Sequence, residues 1–422
     1  PPRSTLFPYT TLFRSVGLSE PSKFLEGFAR SGSHLLEELR SAATQTLLDK
    51  SLRRFPIREA AAMLGFTPQY IRRLETEGTA RLPPLGVPPK DGRGQRSYPL
   101  ERINHYRDQL GIRRLRSPGS RAIRCAVSFF KGGSAKTTTA AHLAHRCALD
   151  GLRVLLIDLD PQASLTMLHG ILPDIDIQRE DTLADVLVYD PSDIQSVIRE
   201  TYFPGLRLIP ANLGLQDAEV KLLDHRENQE EFLDLPAFQR LDYGLKKIED
   251  DFDVIVMDCP PNLGALTLNA VAAANAMLLP IPPRTVDFGS AVLYAQTMSA
   301  LKRDSRFSRP LDFFRVLLTL HTGSGEAKNT EAALRMLLKD YVLEHIMPVS
   351  VEIERSATEL GTVYETEQPK GSYEAYQRAL NHLNAVNSEI INLFRTVWSK
   401  QIETESIDDP DPVSNPAYGA ES

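Results

Sequence analysis

From residue 124 onward, short unbroken apolar runs alternate with longer stretches whose apolar residues recur at helical spacing. The strand-like runs cover 125–129, 153–159, 206–210, 253–258, 276–281 and 313–320, and helical periodicity fills the gaps, 288–301 being one example. Runs that are apolar throughout, rather than at alternate positions, mark strands buried on both faces. Strand and helix in strict alternation require right-handed crossovers, so the pattern predicts an α/β fold: a mainly parallel, doubly wound sheet with helices on both faces. A long amphipathic helix from residue 373 to about 400 closes the region, with Leu380, Leu383, Val386, Ile390 and Leu393 as its apolar stripe.

Before residue 124 the pattern changes. Residues 56–65 read as a short helix with Ile57, Ala60, Ala61 and Leu64 on one face, closed by Gly65. Thr67 then caps a second helix whose first residue is Pro68 and which carries Gln69, Tyr70, Arg72, Arg73 and Glu75. Helix, tight turn and helix, with polar and basic residues on the second, is a helix-turn-helix arrangement. Residues 91–98 follow as a Gly-rich basic hairpin carrying Arg93 and Arg96, and another helix starts at Leu100. The prediction is a small, largely α-helical winged domain in front of the α/β body, whose second helix enters the major groove. Gln69, Tyr70, Arg72 and Arg73 are its candidate base readers, with Arg93 and Arg96 on phosphates. A domain that contacts only protein is the competing reading.

Charge sharpens this division. The chain carries −7 overall, yet residues 51–124 hold sixteen Lys and Arg against six Asp and Glu, about +10, leaving the remainder near −17. A basic module on an acidic body implies that one part meets a polyanion and the other does not. Lys302, Arg303, Arg306, Arg309 and Arg315 form a later basic cluster suited to nonspecific DNA phosphate contact, or to a solvated face. Length and an apolar share of 42% in 422 residues allow two or three domains with a sizeable core. No apolar stretch approaches the roughly 18 residues of a membrane span. Cys125, Cys147 and Cys259 lack metal or disulfide spacing and read as reduced core thiols of a cytoplasmic protein. Residues 1–15 contain an internal echo, Thr5-Leu6-Phe7 and Thr11-Leu12-Phe13, and read as a translated adapter outside the fold. Residues 16–52 read as a helical extension, and 402–422 as a disordered acidic tail.

Candidate chemistry sits at the ends of three strands. The run Lys131-Gly132-Gly133-Ser134-Ala135-Lys136-Thr137-Thr138 follows the first and opens a helix. Glycines let backbone N–H groups curl around phosphate oxygens, the helix N-terminus adds partial positive charge, Lys136 meets β/γ-phosphates and the Thr137 hydroxyl can ligate Mg²⁺. The second strand ends in Asp158-Leu159-Asp160-Pro161 and the third in Asp258-Cys259-Pro260-Pro261. A lone carboxylate at such an end can hold a hydrated Mg²⁺, which needs few protein ligands. Pro282, Pro283 and Arg284 end a further strand near the same edge, where a proline pair reads as the strand's terminator.

The loop departs from the usual phosphate-loop pattern, with Phe130 and Ala135 where glycines would stand and Lys131 added at its head. A Lys-Gly-Gly-x-x-Lys-Thr loop resembles the deviant Walker A motif of the ParA/MinD family. Asp158 and Asp160 resemble that family's A′ motif, and Asp258 its Walker B acid. In that family the region of Pro282, Pro283 and Arg284 frames the base, the alternative to a plain strand terminator. The resemblance spans about residues 53–400; the chain is similar to long ParA proteins, in which a MerR-like winged fold stands in front, and to the RepA proteins of repABC plasmids. It implies a domain scheme of 53–118 for DNA binding and 122–401 for the P-loop NTPase, with ATP and Mg²⁺ as cofactors. It further implies Lys131 reaching a partner's nucleotide in a homodimer, Lys136 and Asp160 as the other catalytic residues, and Gly132 to Thr138 as the nucleotide cradle. Thr137, Asp158 and Asp258 would serve the metal. The family's activities would be ATP-dependent dimerisation, nonspecific DNA binding on the nucleoid, hydrolysis stimulated by a ParB/RepB-type centromere-binding protein, and autorepression through the front domain. A repressor that only senses ATP is the alternative, against which the acid at Asp160 speaks. A membrane-anchored MinD-like role would need a basic amphipathic C-terminus, and this one is acidic. Glu352 and Arg355, late in the ParA-like region, are candidates for an interface or for a solvated pair.

Overall fold

In the computed structural model, the described residues are 26, 27, 30–32 and 50–408, without 91, 93, 174, 224–234, 305, 306, 308 and 368. The chain divides into two units, 1–50 and 51–422, and all the strands among the described residues lie in the second. The expected adapter, almost all of the helical extension and the last part of the acidic tail lie outside the described residues.

The front part contains β1 (Phe55–Pro56), α1 (Ile57–Leu64), α2 (Pro68–Thr76), β2 (Ser97–Tyr98) and α3 (Leu100–Gln109). Local chemistry accounts for the turn between the first two helices. Gly65 ends α1 at φ 75°, a left-handed conformation that a side chain would disfavour, and the Tyr70 N–H donates to the Thr67 hydroxyl at 3.2 Å to cap α2. β1 and β2 pair antiparallel, Phe55 opposite Tyr98, and close the small domain.

The body continues with β3 (Ile123–Val127), α4 (Lys136–Leu149), β4 (Val154–Asp158), α5 (Ser164–Leu168), α6 (Leu183–Val188), β5 (Arg199–Glu200), β6 (Leu206–Ile209) and α7 (Gly214–Leu223). It is completed by α8 (Arg240–Ile248), β7 (Val254–Asp258), α9 (Ala265–Ala273), β8 (Ala276–Ile281), α10 (Thr285–Arg303), β9 (Phe313–His321), α11 (Gly325–Leu338), β10 (Met347–Pro348), α12 (Val351–Thr358) and α13 (Tyr373–Asp408). The eight strands of the body lie in the order β10-β9-β8-β3-β7-β4-β6-β5, parallel except for β5, which runs antiparallel to β6. All six strand-like runs are strands, and the central ones are buried throughout, as continuous apolar runs require. The chain leaves β3 for β4 on one side and later reaches β8 on the other, so the crevice beside β3 is the switch point where such sheets bind ligands.

Two features depart from expectation. The last helix runs to Asp408 rather than stopping near 400, so the tail begins later than its composition implied. The front domain also shares one apolar cluster with the body, from Phe55 and Tyr106 through Ile123 to Trp398. Arg113 donates to the Gly151 carbonyl at 2.8 Å and Arg53 to that of Tyr364 at 3.1 Å across this seam.

Candidate nucleotide site and basic front domain

The loop between β3 and α4 curls at the carboxyl edge of the sheet. Gly133 has φ 68°, and a Cβ there would meet nothing, so backbone conformation rather than space calls for glycine. Ala135 adopts φ 67°, ψ 33° at the N-cap of α4, a left-handed conformation that costs an alanine about 1 kcal/mol. The Ser134 carbonyl accepts from the Thr319 hydroxyl at 2.9 Å, tying the loop to β9. Phe130 packs at a tilt against Tyr294 of α10 with ring centroids 4.6 Å apart, a contact that a glycine in its place could not make.

Lys136 is almost buried and its ammonium donates to the Lys131 carbonyl at 3.0 Å, across the mouth of the loop. Burial lowers its pKa, against the opposing pull of Asp258, Cys259 and Asp160. Lys131 turns the other way, into an ion pair with Asp287 in the first turn of α10. Gly132, Ser134, Thr137 and Thr138 complete the cradle, with Ser134 buried and Gly132 exposed.

Asp158 and Asp258 are paired in register on adjacent strands β4 and β7, and both are buried. Their surroundings differ. Asp158 accepts from the Asp160 N–H at 3.1 Å, from the Thr166 N–H at 2.9 Å and from the Thr166 hydroxyl at 2.8 Å. Burial pushes its pKa up to about 7, those hydrogen bonds pull it down, and the Asp160 charge raises it. Expected beside a metal's water shell, Asp158 has its oxygens engaged by the chain and holds the start of α5 against β4. Asp258 faces the Thr137 hydroxyl and the Lys136 ammonium, which lower its pKa, but burial together with the Asp158 charge raises it well above the carboxylate range. Neither of its oxygens is in a well-aligned hydrogen bond. A buried carboxylate so poorly satisfied, beside a hydroxyl at a strand end, fits a hydrated divalent cation. Asp160 is half-buried on the turn that follows and accepts from the Gln162 N–H at 3.0 Å.

Beside the loop lies a cavity of about 500 Å³ lined by Lys131, Pro283, Arg284, Leu320, Thr322 and Ser324 among others. The N-termini of α10 and α11 both open onto it. Cys259 is buried and its thiol is raised far above its ordinary pKa by burial and by Asp258, so it is no thiolate nucleophile.

In the front domain Gln69, Arg72 and Arg73 are exposed on α2, and Tyr70 is half-buried against Phe66, with the Arg73 guanidinium over its ring at 5.3 Å. Arg93 lies outside the described residues. Arg96, expected on phosphate, is instead paired with Glu75, a wholly buried carboxylate that also accepts from the Tyr98 and Tyr106 hydroxyls at 2.8 and 3.2 Å. The later basic cluster is not a single face: Arg309 pairs with Asp242, Arg315 donates to the Phe314 carbonyl, and the Lys302 side chain and Arg306 are outside the described residues. Arg355 pairs with Glu352 at 2.6 Å within α12. Sequence reading missed Asp287 and Tyr294, whose only signal was their place on the helix that follows a site-forming strand.

A family described as an AAA domain matches residues 122–304. A candidate replication protein A of Sinorhizobium fredii is 33% identical over 92% of this chain and 98% of its own length. Protein SopA of Escherichia coli is 33% identical over 83% of the chain and 90% of its own. A solved partition protein shares the fold, with a TM-score of 0.57 at 20% identity over 86% of this chain and 98% of that one.

Proposed function

Because the chain belongs to the ParA/MinD-like family of plasmid partition ATPases, we propose that it hydrolyses ATP with Mg²⁺ and couples that turnover to DNA partition. The observation that carries this reading is Asp258, a buried carboxylate in no well-aligned hydrogen bond, set beside Lys136 and Thr137 where β7 meets the phosphate loop. Backbone N–H groups at 132–137 and the α4 N-terminus would bind the phosphates, and Lys136 would neutralise the β/γ oxygens. Thr137 and Asp258 would hold Mg²⁺, which supplies charge neutralisation on the phosphate oxygens. Asp160, on a turn braced by Asp158, would orient the attacking water. Pro283 and Thr322 would wall the base in the adjoining cavity. Lys131 would leave Asp287 and cross to the partner's nucleotide in an ATP-bound homodimer.

The exposed Gln69, Arg72 and Arg73 on α2 support operator binding by the front domain, with Tyr70 packed behind them, and hence autorepression. Nonspecific DNA binding by the dimer would place the protein on the nucleoid in the cytoplasm, and a ParB/RepB-type protein would stimulate turnover. The test is ATP hydrolysis by the full chain with and without Mg²⁺, plasmid DNA and the protein encoded beside it. Mg²⁺-dependent turnover raised by DNA and partner together supports the reading. Tight ATP binding with no turnover under any of these conditions would leave a sensor, and the proposal would fall.

A further inference from the structure

Three buried histidines lie on the two helices that leave the nucleotide site. His142 and His145 lie on α4, the helix that starts at Lys136, and His169 caps the end of α5, the helix that follows the Asp160 turn. The His145 and His169 Nε2 atoms are 3.1 Å apart, with both rings out of solvent. Their protons can be placed from their partners. His169 Nδ1 lies 2.8 Å from the Leu165 carbonyl, which only accepts, so Nδ1 carries the hydrogen. In the neutral ring Nε2 must then accept, so His145 donates from its Nε2. His145 Nδ1 faces the Thr362 hydroxyl at 2.8 Å and the Glu365 carboxylate at 3.6 Å. Behind this, Glu365 accepts from the Thr362 N–H at 2.6 Å and the Tyr202 hydroxyl at 2.5 Å. An apolar pair in place of the two imidazoles would pack without fixing a direction.

Helix α5 is thus held at its middle and at its C-terminal end. Asp158 grips Thr166 on the sheet side, and His169 ties the far end to α4. Between β4 and α5 lies the turn that carries Asp160, with Ala163 at φ 55°. We propose that His145 and His169 are positioning residues for hydrolysis: their imidazole-to-imidazole hydrogen bond locks α5, and with it the Asp160 turn, to the helix that carries Lys136. The inference rests on the hydrolytic role proposed for Asp160. Misplacing a water-orienting carboxylate by about an ångström is enough to slow a reaction by as much as a hundredfold without loss of binding.

The full-length chain tests it. His169→Leu removes the acceptor, whereas His169→Gln restores an oxygen within reach of the His145 N–H. Expected for His169→Leu are single-turnover hydrolysis slowed at least ~10-fold, affinity for a nonhydrolysable ATP analogue unchanged, and faster amide exchange at 159–170 without nucleotide while 131–139 keep their protection. His169→Gln should recover most of the rate. Equal impairment in both variants, or a parallel loss of affinity and of protection throughout, would reduce the pair to structural filler and overturn the proposal. If His169→Leu does not fold, ¹⁵N-histidine spectra of the wild-type chain decide: His145 must carry its proton on Nε2 and His169 on Nδ1, and matching tautomers would break the lock. A wild-type chain that binds ATP without hydrolysing it would remove the hydrolytic role, and the exchange and tautomer results would still say separately whether the lock exists.

Discussion

Lys131, at the head of the phosphate loop, is held by Asp287 in the first turn of α10. The lysine side chain is 36% exposed and the carboxylate 1%, so the pair has one face in water and one in the core. Burial makes the two partners unequal. A freed Lys131 can hydrate at once, whereas a freed Asp287 stays in the core as an uncompensated charge.

Asp287→Asn should therefore raise the fraction of ATP-dependent dimer, because it loosens the lysine that is proposed to cross the interface. Lys131→Ala should abolish dimerisation, leave monomer ATP binding intact and lower stability more than Asp287→Asn does. Analytical ultracentrifugation with an ATP analogue, set beside thermal unfolding, separates these outcomes.

Asp160→Ala should bind ATP and dimerise but hydrolyse at least ~100-fold more slowly, the scale on which a positioned proton-handling group acts. Asp158→Ala should instead lose stability, since it leaves the Thr166 N–H and the Asp160 N–H without their acceptor. Single-turnover rates and unfolding midpoints, measured on both variants, distinguish water orientation from turn bracing.

The buried acids predict an unusual pH dependence for the nucleotide-free chain. Asp158 is raised from 3.8 to about 7 by burial, so between those values the folded chain keeps a proton that the unfolded chain has released. This contribution to stability is complete below pH 4 and is lost as pH rises toward 7; Asp258, raised for the same reason, acts in the same direction. Asp258→Asn should flatten the slope and stabilise the free chain near neutral pH while removing the Mg²⁺-dependent gain in ATP affinity. Melting temperatures from pH 5 to 8, with and without Mg²⁺ and ATP, check both effects.

Ala135→Gly should change stability by at most roughly 0.5 kcal/mol, in the stabilising direction, because relief of the left-handed strain is largely offset by the entropy of an added glycine. ATP affinity should hold or tighten. A weaker affinity in isothermal titration would mean that the alanine methyl supports the loop.

Arg96→Ala and Arg72→Ala should part company. The first leaves the buried Glu75 carboxylate with only the two tyrosine hydroxyls and should cost the front domain about 2–4 kcal/mol. The second should leave the melting temperature unchanged and lower operator affinity by about 1–3 kcal/mol if Arg72 is bidentate to guanine. Footprinting at several salt concentrations, alongside thermal melts, reads both.

The amino-acid sequence by itself determined the elements and the phosphate-handling motifs, because each is written in contiguous residues: an apolar run for β3, glycines and Lys136 after it, a carboxylate at the end of β7. The turn between α1 and α2 was equally local, resting on Gly65, Thr67 and Pro68. The two-residue edge strands β5 and β10 escaped because so short a segment has no period to detect. Helix α13 ran past 400 because a helix anchored by a packed start propagates through polar residues at little cost. Only the tertiary structure decided which charges and ring nitrogens meet: Lys131 with Asp287, Arg96 with Glu75, His145 with His169. These partners lie on different elements, brought together by burial of apolar surface that neither member of the pair contributes. No local pattern encodes such a meeting, yet it decided that Arg96 braces the front domain, that Asp158 braces a turn, and that Asp258 faces Thr137 and Lys136.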